Sequence, residues 1–210
     1  MKVVISADSQ IGISKKKRKN IDQLIKERGE AALAIIKPIA AKPNELYIQR
    51  DNPSASSHII SIRDKVKYYG DYRNNRFDTI APKVNASYFE IWKKSFVENT
   101  NNEYYFLDRA YLHFYWRGNN VNDDPKEFFL LHCDPNDDSE PHAIYKQSLH
   151  LHIECHDAPS PHNEIWPRCH IALNAGMLDY VLESVESLTK AFEVAVLMLK
   201  NQVLEKKILH

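Results

Sequence analysis

Four segments in the second half of the chain alternate apolar and polar residues: "EYYFLDRAYLHFYW", "KEFFLLHCD", "SLHLHIEC" and "RCHIALN". A two-residue period is the spacing of a strand with one buried face. The segments are separated by stretches rich in Asn, Asp, Pro and Ser, which predicts consecutive strands of an antiparallel meander. Earlier, "ELYIQR" and "HIISIR" also read as short strands, and "YYGDYRNNRF" as a polar aromatic loop carrying Arg73 and Arg76.

The ends of the chain follow a different period. In "KKKRKNIDQLIKERGEAALAIIK" the apolar residues Ile21, Leu24, Ile25, Leu33, Ile35 and Ile36 recur at helical spacing. Asn20 with Gln23 suits a capping box, Gly29 weakens the middle of the helix, and Pro38 stops it. The basic run Lys15–Lys19 opposes the helix dipole and reads as a solvated, frayed entry. Ser87 with Glu90 suggests a second capping box, and Tyr88, Ile91, Trp92 and Phe96 then line one side of a predicted short helix. After Gly176, Leu178, Val181, Val185, Leu188, Phe192, Leu199 and Val203 trace a stripe near heptad spacing to the C-terminus, with a break expected near Ser187. "VAVLML" is apolar around most of its circumference, so it needs cover from the sheet or from a second chain.

The strand period sorts the chemistry onto faces. His150, His152 and Glu154 share one side of their segment, opposite Leu149, Leu151, Ile153 and Cys155. His132 and Asp134 lie opposite Leu131 and Cys133, and His170 lies opposite Cys169, Ile171 and Leu173. Tyr111, His113 and Tyr115 are separated in the same way from Leu112, Phe114 and Trp116. Eight of the ten histidines fall between His113 and His170. All three cysteines fall on the apolar side, where they pack as small hydrophobes. That argues against a thiolate zinc site or a cysteine nucleophile.

Composition narrows the setting. With 210 residues, the chain is long enough for one sizeable core. Lys plus Arg equals Asp plus Glu at 28 each, so no global field draws it to nucleic acid or anionic lipid. No apolar run is long enough to span a bilayer, the N-terminus lacks a secretory h-region, and three scattered cysteines make no disulfide framework. A reducing cytoplasm is the expected location.

Adjacent strands lie about 4.8 Å apart, so imidazoles on neighbouring strands can turn onto one ion or one substrate. Three chemistries fit. In the first, His150 and His152 supply two ligands to a divalent metal such as zinc, His170, His132 or an acid (Asp134 or Glu154) supplies the third, and one position stays open for water. In the second, two of these histidines serve as general base and acid across a phosphodiester, with Tyr115, Arg117 or Arg168 stabilising the phosphate. The loop "YYGDYRNNRF" would stack bases while its arginines hold phosphates. In the third, the polar face binds a partner protein and no catalysis occurs.

The segment "HDAPSPHNEIWPRCHI" resembles the signature stretch of TumE-like toxins from bacterial toxin–antitoxin pairs, through Asp157, Ala158, Pro159, His162, Pro167 and His170. The resemblance covers 16 of the 210 residues. It implies a small α+β effector kept with a neutralising or regulatory partner. From the residues alone, Asp157 and His162 shape a turn. The expected protein is therefore α+β: an antiparallel meander with an N-terminal helix and a long C-terminal helix or helical hairpin. Residues 1–176 form the domain with the His-rich face, and 177–210 pack on the sheet or form a homo-oligomer contact. The expected activity is hydrolysis of a phosphodiester in RNA or a nucleotide, with a regulatory component of a defence or toxin–antitoxin system as the alternative.

Overall fold

The computed structural model of the chain describes residues 12–14, 21–65, 70–96, 103–117, 126–135, 149–153, 169–173, 182 and 184–205. In chain order these form β1 (Gly12–Ser14), α1 (Ile21–Ile36), β2 (Leu46–Ser54), β3 (Ser57–Asp64), β4 (Phe77–Asp78), β5 (Val84–Phe96), β6 (Glu103–Trp116), β7 (Lys126–Cys133), β8 (His150–Ile153), β9 (Cys169–Ala172) and α2 (Val185–Leu199). One antiparallel sheet runs β2-β3-β5-β6-β7-β8-β9, with β1 alongside β6 and β4 alongside β5. The fold is α+β, and its sheet is the meander that the alternating segments predict. Among the described residues no helix is long and apolar enough to cross a membrane.

One face of the sheet carries the core. Ile60 and Ile62 of β3, Tyr88 and Trp92 of β5, Leu112 and Phe114 of β6, Leu131 and Cys133 of β7, and Leu151 of β8 join a single apolar cluster with α1 and α2. Buried positions of α1 recur at Ile25, Arg28, Gly29, Ala32, Ile35 and Ile36, which is one helical stripe. A Cβ on Gly29 would stand 2.9 Å from Ile48 Cγ2, so the glycine lets α1 lie close on β2. On α2, the Phe192 ring meets Tyr88 edge-on at 5.8 Å.

A buried ion pair ties the two helices to the sheet. Arg28 Nε donates to both Glu90 carboxylate oxygens at 3.0 and 2.9 Å, and Nη2 donates to Oε1 at 2.5 Å. Arg28 Nη1 reaches Thr189 Oγ1 on α2 at 2.6 Å. Glu90 also accepts from the Tyr88 hydroxyl and from Trp92 Nε1, the latter at 2.8 Å. Burial opposes the Arg28 charge, but Glu90 more than compensates and raises its pKa. Burial first, and Glu90 second, push the Tyr88 phenol up, so it stays protonated and donates.

One predicted element is corrected. The Tyr88–Phe96 segment is part of strand β5, not a helix. Tyr88, Glu90 and Trp92 share one face at strand spacing, and Glu90 is held by Arg28, so it cannot act in a cap. The C-terminal helix begins at Val185. Ser184 is extended, at φ −147° and ψ 165°, and exchanges reciprocal 3.0 Å capping bonds with Ser187. The expected break near Ser187 is thus a helix start, and residues 177–181 lie outside the described set. The helix ends in one π turn, Lys200–Leu204. Val194, Leu197 and Met198 stay exposed on α2.

Arg28→Ala leaves Glu90 buried without its cation and is expected to cost about 3–5 kcal/mol in urea denaturation. Arg28→Met combined with Glu90→Leu removes both charges and should cost clearly less. A second expectation concerns acid. His58 of β3 is 7% exposed, and burial lowers its pKa below 6.5 against the opposing pull of Asp22. The unfolded chain therefore takes up this proton first. Stability from this group is intact above about pH 6.5, falls below it, and levels off beneath the folded pKa. Melting curves of His58→Gln should show a shallower acid loss than the parent.

Candidate functional site

The helices cover one face of the sheet, and the other gathers the imidazoles. His132 of β7 pairs in register with His150 of β8, and Leu130 pairs with His152. Side chains two apart on a strand share a face, so His132, His150 and His152 meet on the side away from the core. One ligand atom from each lies within 4.8 Å of the others. Their exposures are 5%, 0% and 0%, so this cluster is buried and not solvated.

Asp134, two residues beyond His132 and also buried, enters the same group. Its Oδ2 lies 3.7 Å from His132 Nδ1 and 3.6 Å from His150 Nε2. Both distances exceed a good hydrogen bond. Two ligand atoms each about 2.1 Å from a tetrahedral zinc stand about 3.4 Å apart. The nitrogen–oxygen spacing therefore suits shared coordination better than direct bonding. The donor set, three imidazoles and one carboxylate, is that of a transition-metal site of borderline softness.

Neighbouring strands orient His132 from behind. The Tyr111 ring stacks on it at 3.8 Å between centroids and 15° between planes. His113 Nε2 lies 2.8 Å from His132 Nε2, and His113 Nδ1 lies 3.1 Å from Glu127 Oε1. Tyr115 flanks His113 at 3.3 Å, and Arg76 covers the Tyr115 ring at 4.0 Å. Burial pushes the Tyr115 phenol up to about 12, so it keeps its proton at neutrality.

Of the residues singled out in the sequence, the structure brings together His132, His150, His152 and Asp134. His170 pairs through its backbone with His152, at the next register position, and its side chain lies outside the described set. Glu154, Asp157, His162 and Arg168 also lie outside it. Arg117 is turned to Asp78 at 3.3 Å. Among the described residues of the expected base-stacking loop, Tyr72 packs on Phe89 and Arg73 pairs with Asp71, while Tyr68 and Tyr69 lie outside the described set. Sequence reasoning put His113 and Tyr111 on the polar face but gave them no role. It missed Glu127 altogether. A bulge between the Phe114 and Tyr115 pairings brings Glu127 opposite Tyr115, which flips it onto the histidine side.

No family model, curated protein or solved structure matches the chain. The likeness to TumE-like toxins therefore rests on the sequence stretch from His156 to Ile171 alone.

Cys133 is a free thiol in the core, and burial pushes its pKa well up. It is therefore a packing residue, not a nucleophile. Under native conditions a thiol reagent should modify Cys133 only at the rate of unfolding, as peptide mapping of labelled protein would show. Rapid native labelling at this position would contradict its burial.

Proposed function

We propose that the protein is a histidine-ligated metal hydrolase acting on a phosphodiester of RNA or a nucleotide. The observation that carries this reading is the convergence of His132, His150 and His152 within 4.8 Å beside Asp134. A divalent metal of the zinc class, held by the three imidazoles, supplies Lewis acidity and a water with a pKa near 7. Asp134 is placed to accept that water's proton or to serve as a fourth ligand. His170 remains a candidate auxiliary ligand because its backbone neighbours His152. Arg109, partly exposed, lies 5.8 Å from the Tyr111 ring that stacks on His132. It stays charged: burial opposes this, and Tyr111 and Asp108 favour it. A guanidinium at this position suits an anionic substrate.

A second reading rests on burial. With His150 and His152 both at 0% exposure, a metal could instead be structural, stapling β7 to β8 in a protein whose role is to bind a partner. The exposed Val194, Leu197 and Met198 of α2 are where self-association or a partner contact would form. A free buried thiol suits the reducing cytoplasm of either reading. A toxin or antiphage effector, held in check by a partner, is the setting implied by the local sequence resemblance.

Elemental analysis should find about one transition-metal ion per chain, as the three-imidazole cluster among the described residues requires. His150→Ala with His152→Ala should weaken binding by more than the about 10–100-fold that an outer-shell partner is worth. Bis(p-nitrophenyl) phosphate should be hydrolysed by the metal-loaded parent and not by the double variant. Metal without turnover selects the structural reading. Protein that binds no metal and hydrolyses nothing overturns both.

A further inference from the structure

Glu127 lies at one end of a side-chain chain that runs from β7 to His113 of β6 and back to His132 of β7. A carboxylate only accepts hydrogen bonds, so the contact at 3.1 Å places a proton on His113 Nδ1. His113 Nε2 of the neutral ring is then a lone pair. The 2.8 Å contact between the two Nε2 atoms needs one donor, and only His132 can supply it. The proton of His132 therefore sits on Nε2, which leaves a lone pair on Nδ1, the atom 3.7 Å from the Asp134 Oδ2 that also lies 3.6 Å from His150 Nε2. Tyr111 fixes the plane of the same ring by stacking at 3.8 Å.

We infer that His113 and Glu127 are positioning residues that set the tautomer of His132, so that its Nδ1 serves as a metal ligand. This rests on the metal reading above and extends it to two residues that do not touch the ion. Metal-binding histidines generally donate their second N–H to a carboxylate or a carbonyl, which fixes the ring and raises its basicity. Here a second imidazole stands between ligand and carboxylate. His113 is 13% exposed and Glu127 32% exposed in their side chains, so the chain connects the buried cluster to the protein surface. Glu127 thereby anchors the site from its solvent edge.

Two measurements on the full chain test this. In metal-free protein at a pH where the rings are neutral, two-bond proton–nitrogen correlation spectra should show His132 protonated at Nε2. In His113→Phe, which keeps a ring beside Tyr111 but has no nitrogens, that signature should be lost. Zinc affinity should then fall about 10–100-fold with the melting temperature of the metal-free protein retained. Glu127→Leu, at a more exposed position, should shift affinity the same way by less, because the Tyr115 oxygen remains 3.3 Å from His113. A parent His132 protonated at Nδ1 overturns the assignment. So does unchanged zinc affinity in both variants while the parent binds zinc. A parent that shows the assigned tautomer and takes up no zinc overturns the metal reading, and the positioning role with it.

Discussion

The buried pair of Arg28 and Glu90 commits one side of the sheet to the helices. Its guanidinium comes from α1, its carboxylate from the middle of β5, and Thr189 of α2 takes the remaining Nη1 bond. Tyr88 and Trp92, flanking Glu90 on the same face, complete the carboxylate's partners. Removing two charges from water costs several kcal/mol for each ion, so such a pair persists only where its geometry is well satisfied. Once Glu90 faces the helices, the pleat of β5 and its register with β6 and β7 dictate which residues face away.

The outward face is therefore determined by the same register. His113, Tyr111, His132, His150 and His152 stack and bond there with a continuity that no single strand provides. The β7–β8 pairing sets His132 against His150, and the β6–β7 pairing sets Tyr111 against His132. A one-residue slip of β8 would turn His150 and His152 into the core and Leu151 out of it. Register is thus the link between packing energy on one side and candidate chemistry on the other.

Much of this was legible in the chain itself. Alternation in "SLHLHIEC" and "FLLHCDP" separated His132, His150 and His152 from Leu131, Leu151 and Cys133 as the structure does, and placed Cys133 on the apolar side. Neighbouring strands in sequence became neighbours in space because the meander needs no crossover. The misreadings have physical causes. Ser87 and Glu90 match a capping box by spacing alone, yet Glu90 has a partner 62 residues away on α1, which local pattern cannot reveal. Glu127 was hidden by a bulge, since strict alternation would place it on the opposite face from His132. For the site, sequence supplied the residues and their shared face. The burial and mutual distances that distinguish a cluster from a wet polar surface came only with the register.

The central claim is that His132, His150 and His152 converge on one ion. X-ray absorption spectroscopy of zinc-loaded protein tests it most directly. The account predicts a first shell at about 2.0–2.1 Å with the multiple-scattering pattern of three imidazoles. A shell of oxygen scatterers lacking imidazole features, in protein that has retained its fold, would contradict it.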